Sequence, residues 1–316
     1  LNMNKLNKIG LTALAGSLVV AGSVSAAEMS ASGTASMSYN GGDEKATTGA
    51  GWAMGDSVTF SASGDVNDIG VTYTVELDGD AAAGGGGVDN YSLAFDLGDA
   101  GTLRYDGHGG STAMSALDDV MPTASEEPWD VVTGADASII GGHSGNDSFN
   151  YNFSHDSGFS LTAAYVQADD AVTDVSYSDF AVAYTGVEGL TVGYGQGDVE
   201  ATTNDKSEEN TMYAKYAIGS FTIGIQTSEQ DNETGSDYES TGMGVSYQVN
   251  DDLAISYGQH TLEITGSNPD QESTAISASY TMGSLGIKAS MHAVDNINNA
   301  ASNDREAYNL VLTFNF

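Results

Sequence analysis

The residues Tyr308-Asn309-Leu310-Val311-Leu312-Thr313-Phe314-Asn315-Phe316 place a large apolar side chain at every second position from Tyr308, with Asn309, Thr313 and Asn315 among the residues between. A period of two is that of a β-strand. In a soluble sheet the apolar face of such a strand must meet a core, and a strand at the end of a chain leaves an edge to be managed. In hydrocarbon the same face needs no core, and a barrel is the one extended structure that leaves no backbone group unpaired. Stacked sheets or a closed barrel are therefore the two solutions open to a chain made of such strands.

The alternation runs through most of the sequence and predicts sixteen strands, at 29–39, 56–63, 70–78, 89–97, 101–107, 147–154, 158–168, 174–185, 189–199, 209–218, 220–228, 238–249, 252–263, 272–282, 284–294 and 306–316. Several of these have the ~9 to 11 residues that a tilted membrane strand requires. The connections sort by parity. After even-numbered strands they are tight, as at 155–157, Gly219, 250–251 and Gly283; after odd-numbered strands they are longer and polar, as at 40–55, 79–88, 229–237 and 295–305. A sandwich gives no reason for that sorting. An up-and-down barrel does, because odd and even connections then lie on opposite sides of a membrane.

Residues 1–27 predict a secretory signal peptide. Lys5 and Lys8 precede an apolar run from Ile9 to Val20, and small residues lead to Val24-Ser25-Ala26-Ala27, with cleavage expected after Ala26 or Ala27 and Met3 as the initiator. The run is shorter than the ~20 apolar residues of a membrane helix. One domain is expected over 28–316. Cysteine is absent, which excludes disulfides and thiol ligands. Of the 8 Lys and Arg, Lys5 and Lys8 leave with the signal, so Lys45, Arg104, Lys206, Lys215, Lys288 and Arg305 face 44 Asp and Glu. Nucleic acid is not a partner for such a chain. Its 16 Tyr and 9 Phe separate it from acidic disordered sequences.

The ending resembles the terminal strand of bacterial outer-membrane barrels, with Tyr308, Leu310, Leu312, Phe314 and Phe316 as the apolar series. The resemblance implies recognition by the barrel-assembly machinery. One connection, between Asp106 and Asp147, lacks alternation and far exceeds the ~12 to 15 residues usual in a compact fold. It follows the fifth strand and is the third long loop. With sixteen strands, eight outer loops and that long third one, the sequence resembles the general porins, although their Pro-Glu-Phe-Gly-Gly loop motif is absent.

That resemblance implies a third loop folded into the lumen, a homotrimer, and contact with outer-membrane lipid and lipopolysaccharide in a Gram-negative cell. Facing the large apolar side chains to lipid assigns Arg104, Lys215, Lys288 and His292 to the pore wall, while the third loop carries Asp118, Asp119, Glu126, Glu127, Asp130 and Asp136. An acidic loop facing a basic wall across the constriction is the expectation, with cation preference from the excess of carboxylates.

No cofactor is expected. Asp231, Glu233 and Asp237 on an outer loop are weak candidates for loosely bound Ca²⁺ or Mg²⁺, without the spacing of a calcium loop. His155, Asp156 and Ser157 share one tight turn and cannot form a catalytic triad, so an enzyme is not expected. Trp52 and Trp129 are expected in long loops. Two other readings stand beside the diffusion pore: a substrate-selective channel, and a secreted acidic β-sandwich adhesin that would leave the sorted loops unexplained.

Overall fold

A computed structural model describes residues 28–43, 51–79, 87–118, 120–135, 139–141, 145–168, 175–201 and 206–316. The predicted signal segment, Asp119 and Asp136 lie outside the described residues. The strands are β1 Glu28–Gly42, β2 Gly51–Val66, β3 Ile69–Asp78, β4 Val88–Asp96, β5 Thr102–His108, β6 Ser148–Ser154, β7 Phe159–Val166 and β8 Val175–Val187. There follow β9 Leu190–Ala201, β10 Ser207–Ile218, β11 Phe221–Asn232, β12 Tyr238–Gln248, β13 Leu253–Ile264, β14 Gln271–Met282, β15 Leu285–Asp295 and β16 Arg305–Asn315. Each pairs antiparallel with its chain neighbours, and β16 closes on β1 in a register running from Thr34↔Asn315 to Gly42↔Ala307.

Closure removes the sheet edge, so every strand finds a partner on both sides. The sheet is single, and the apolar side chains of β16 are not sandwiched between two layers. They point outward with the other large apolar residues: Ile276 on β14 is 63% exposed and Met291 on β15 is 69% exposed. Exposing such a side chain to water forgoes about 1.5–3 kcal/mol, and water-soluble monomers rarely carry contiguous apolar patches above a few hundred Å². Around a whole barrel that loss excludes water as the outer solvent.

The apolar band has aromatic residues at both ends. At the long-loop end Tyr39 packs on Trp52 with ring centroids 5.1 Å apart, and Tyr308 lies 6.2 Å from Tyr39. At the short-turn end Phe221 and Tyr247 are 4.5 Å apart. Amphipathic rings favour the boundary between hydrocarbon and headgroups.

Two expectations need correction. Trp52 sits in β2, opposite Tyr39, and not in a loop. The connections sort less strictly than predicted, since 97–101 after β4 is as long as 202–206 after β9 and 233–237 after β11. Both differences have one cause. Backbone pairing continues past the end of side-chain alternation, as in Ser207↔Asn232 and Glu208↔Asp231, because the ladder is made by amides that are indifferent to the side chains above them.

Candidate pore and the loop that lines it

The connection between β5 and β6 spans 109–147, and its described residues lie on the polar, inward face of the barrel. They reach in turn from β8 round to β16. Met114 N–H donates to Asp179 on β8 (2.7 Å), and Gln226 on β11 donates to the Leu117 carbonyl (2.6 Å). Ala124 N–H donates to Ser256 Oγ on β13 (2.8 Å), whose hydroxyl is 2.6 Å from that of Ser277 on β14. His292 Nδ1 on β15 lies 3.3 Å from the Pro128 carbonyl, which assigns the proton to Nδ1, and Arg305 on β16 donates to the Thr133 carbonyl (2.6 Å). Gly141 N–H then returns to Glu209 on β10 (2.9 Å).

A loop can lie this close because the strands beneath it lack side chains where it crosses. A Cβ at Gly195 on β9 would stand 2.7 Å from both Leu117 Cδ1 and Met114 Sδ. One at Gly224 on β11 would stand 2.7 Å from Pro122 Cδ, and one at Gly258 on β13 would stand 2.9 Å from Pro128 Cγ. Real Cβ atoms do not approach so closely, so glycine at these inward positions makes the trough. Sequence reasoning missed these residues. The signal was present as glycine at inward positions of β9, β11, β12 and β13.

Two apolar clusters fix the ends of the path. Met114, Leu117 and Ile140 of the loop pack with Tyr177 and Val199 of the wall. Val132 packs with Val294, Ile297 and Ala307. Trp129 packs on His260 with ring centroids 4.2 Å apart at a tilt of 54°, so it is part of the loop's seat on β13.

The predicted basic residues Arg104, Lys215 and Lys288 stand at inward positions of β5, β10 and β15. Arg104 Nε pairs with Asp106 on its own strand at 2.8 Å, and Asp106, 2% exposed, also accepts from Asn150 (2.8 Å). Lys215 lies beside Gly224 and Pro122, with its ammonium 5.7 Å from the Tyr213 ring, on the side of the barrel that the loop already covers. Lys288 is exposed on β15, four positions along the strand from His292 and toward the short-turn end.

The inward positions of β1 to β3 carry hydroxyls and acids: Ser32, Thr34, Ser61 and Thr74, with Glu76 and Asp78. Their hydroxyls meet across strands, Thr34 to Ser57 at 3.2 Å and Ser61 to Thr74 at 3.3 Å. Arg104, paired with Asp106 of its own strand, lies on β5, half-way round the closed ring from β13, where Ala124 of the loop is seated, while Lys215 lies on a strand beside the loop.

Of the loop acids, Glu126, Glu127 and Asp130 come together, with ligand oxygens within 4.8 Å of one another. The Glu127 N–H donates to Asp130 Oδ2 (3.1 Å), which closes the turn that gathers them. Asp118 follows the short turn at Ser115–Leu117 and stands apart from that group. Among the described residues Asp231, Glu233 and Asp237 do not form such a group. Asp237 instead accepts the Asn232 N–H (3.0 Å) and closes its own hairpin.

A family model described as Gram-negative porin matches residues 10–316. The chain belongs to the Gram-negative porin family. Among solved structures, this porin is similar to an anion-selective porin from Comamonas acidovorans, at 14% identity and TM-score 0.71, covering 92% of this chain and 100% of that one. OmpT of Vibrio cholerae in its trimer form gives 14% identity, TM-score 0.70 and the same coverage. OmpF of Salmonella typhi in complex with daunomycin gives 13% identity and TM-score 0.68, covering 92% of this chain and 98% of that one. Identities so low carry the fold alone. No curated protein sequence matches. Family and barrel together place this porin in the outer membrane, as a channel protein.

Proposed function

We propose that this porin is a water-filled diffusion channel for ions and small hydrophilic solutes, with a preference for cations. The observation that carries the preference is the gathering of carboxylates at inward positions. The loop brings Glu126, Glu127 and Asp130 together, the inward face of β3 bears Glu76 and Asp78 among hydroxyls, and Arg104 is paired with Asp106. Carboxylates lining a narrow aqueous path lower the energy of a cation and raise that of an anion.

Reversal potential in a planar bilayer under a KCl gradient tests this reading. Its sign should report K⁺ over Cl⁻, and a reading of the opposite sign overturns the preference. Absence of any current steps from protein that shows heat-modifiable mobility on gels overturns the channel itself. The single closed sheet and the family leave no place for the secreted β-sandwich adhesin. A substrate-selective channel has less support, since the inward face of β1 to β3 offers no aromatic ladder.

The reading includes a homotrimer, as in the trimer form of the similar OmpT, assembled by the barrel-assembly machinery among lipid and lipopolysaccharide. Residues 1–27 act as a cleaved export signal. Diffusion needs no cofactor, and no catalytic role is proposed. Ca²⁺ or Mg²⁺ bound loosely at outer-loop carboxylates is compatible with it.

A further inference from the structure

Two inward carboxylates are set behind the loop and not in the bore. Asp179 on β8 is 6% exposed and accepts the Met114 N–H at 2.7 Å, on the leg by which the loop enters. Glu209 on β10 is 1% exposed and accepts the Gly141 N–H at 2.9 Å, on the leg by which it leaves. The Tyr177 hydroxyl, from β8, crosses over Gly197 of β9 to donate to the same Glu209 oxygen at 3.2 Å. Glycine at 197 is required for that crossing, because a Cβ there would collide with the phenol.

The two legs also touch each other. Gly141 packs on the backbone of Ser115, and Gly110 packs on Gly145, at distances that leave no space for a side chain on any of the three glycines. The loop is thus closed at its neck and tied at both legs before it spreads over β11 to β16. Burying a carboxylate is costly unless it is hydrogen-bonded, and bonds from amides to a charged acceptor are stronger than neutral ones.

From this geometry we infer that Asp179 and Glu209 are positioning residues that hold the two legs of the loop against the barrel and so set the width of the bore. The inference rests on the channel reading. It assigns these acids a mechanical part in permeation, distinct from the field exerted by the loop's own carboxylates, from which they are separated by the loop that covers them.

The chain has no cysteine, so one added thiol reports on the loop directly. Met114→Cys places it under the entering leg, where the native side chain is fully buried. Reaction with a small water-borne methanethiosulfonate is expected to be slow in that background and about ten- to a hundredfold faster once Glu209→Ala or Asp179→Ala is added, the range that follows from losing one charge-assisted bond.

Glu209→Gln should restore slow labelling, since its amide oxygen still accepts the Gly141 N–H. In single-channel records the alanine variants should show added open-state noise and sub-levels, with Glu209→Gln quiet. Unchanged labelling and noise in both alanine variants, with barrels still heat-modifiable, overturns the inference. So does a Glu209→Gln variant that matches Glu209→Ala in both readouts. If one alanine variant fails to fold, the other decides. If the parent protein passes no current, the channel reading fails, and the labelling rates still decide whether the carboxylates hold the loop.

Discussion

Phe316 and Gly33 exchange two backbone hydrogen bonds, Gly33 N–H to the Phe316 carbonyl at 2.8 Å and Phe316 N–H to the Gly33 carbonyl at 3.0 Å. The Phe316 ring occupies the space that a side chain at 33 would need: a Cβ there would lie 2.8 Å from its Cε2 and 2.9 Å from the Ser57 carbonyl oxygen. The seam that turns sixteen strands into a barrel is thus completed by its last residue over a bare patch of β1.

Gly33→Ala should weaken that seam. The ring can swing aside, but the Ser57 carbonyl belongs to the β1–β2 pairing and cannot, so a cost of about 1–3 kcal/mol is expected. The urea midpoint of the heat-modifiable band should fall. A midpoint equal to that of the parent would show that the seam relaxes freely.

Gly224→Ala should narrow the bore. The added methyl meets Pro122 Cδ at 2.7 Å and pushes the loop away from β11, whereas one at Gly242 meets Met121 at an ordinary 3.4 Å. Single-channel conductance is expected to drop for Gly224→Ala and stay near the parent value for Gly242→Ala. Equal conductance in the two variants would remove the trough argument.

Neutralising the gathered acids by Glu126→Gln, Glu127→Gln and Asp130→Asn should shift the KCl reversal potential toward zero. Asp118→Asn, outside that group, should shift it less. Glu76→Gln, on the inward face of β3, should add to the triple variant, since the two sit on separate elements. A triple variant as cation-preferring as the parent would clear the loop of any part in selectivity.

Lys206, on the outer rim, donates to Glu200 at 2.7 Å, and that bond raises its pKa above the ordinary value of 10.5. A raised lysine pKa contributes stability that is present below the ordinary value and fades as pH climbs through the folded one. Both side chains are exposed, and exposed pairs are screened by solvent and salt. Lys206→Ala should therefore leave the thermal midpoint unchanged at neutral pH in 0.15 M salt, within error. A clear drop would mean that the pair holds the rim.

The strands were legible because their signal is local. Alternation in β10, Met212, Ala214, Tyr216 and Ile218 against Tyr213 and Lys215, needs only neighbouring residues to be read. Trp52 was misplaced because Gly51, Gly55 and Asp56 around it carry turn-like chemistry, and only pairing with Tyr39 of β1 draws the segment into the sheet. The inward orientation of Arg104, Lys215 and Lys288 followed from the same period. Their neighbours did not: Asp106 beside Arg104 and Pro122 beside Lys215 are matters of where the loop runs.

By itself the sequence determined the strands and the apolar face of each, and in hydrocarbon the need to pair every backbone group then leaves a closed sheet with that face turned outward. The tertiary structure alone decided the lining of the bore. The path of the loop depends on glycines and carboxylates drawn from strands far apart in the chain, and their meeting is a steric and hydrogen-bonding fit that no local pattern records.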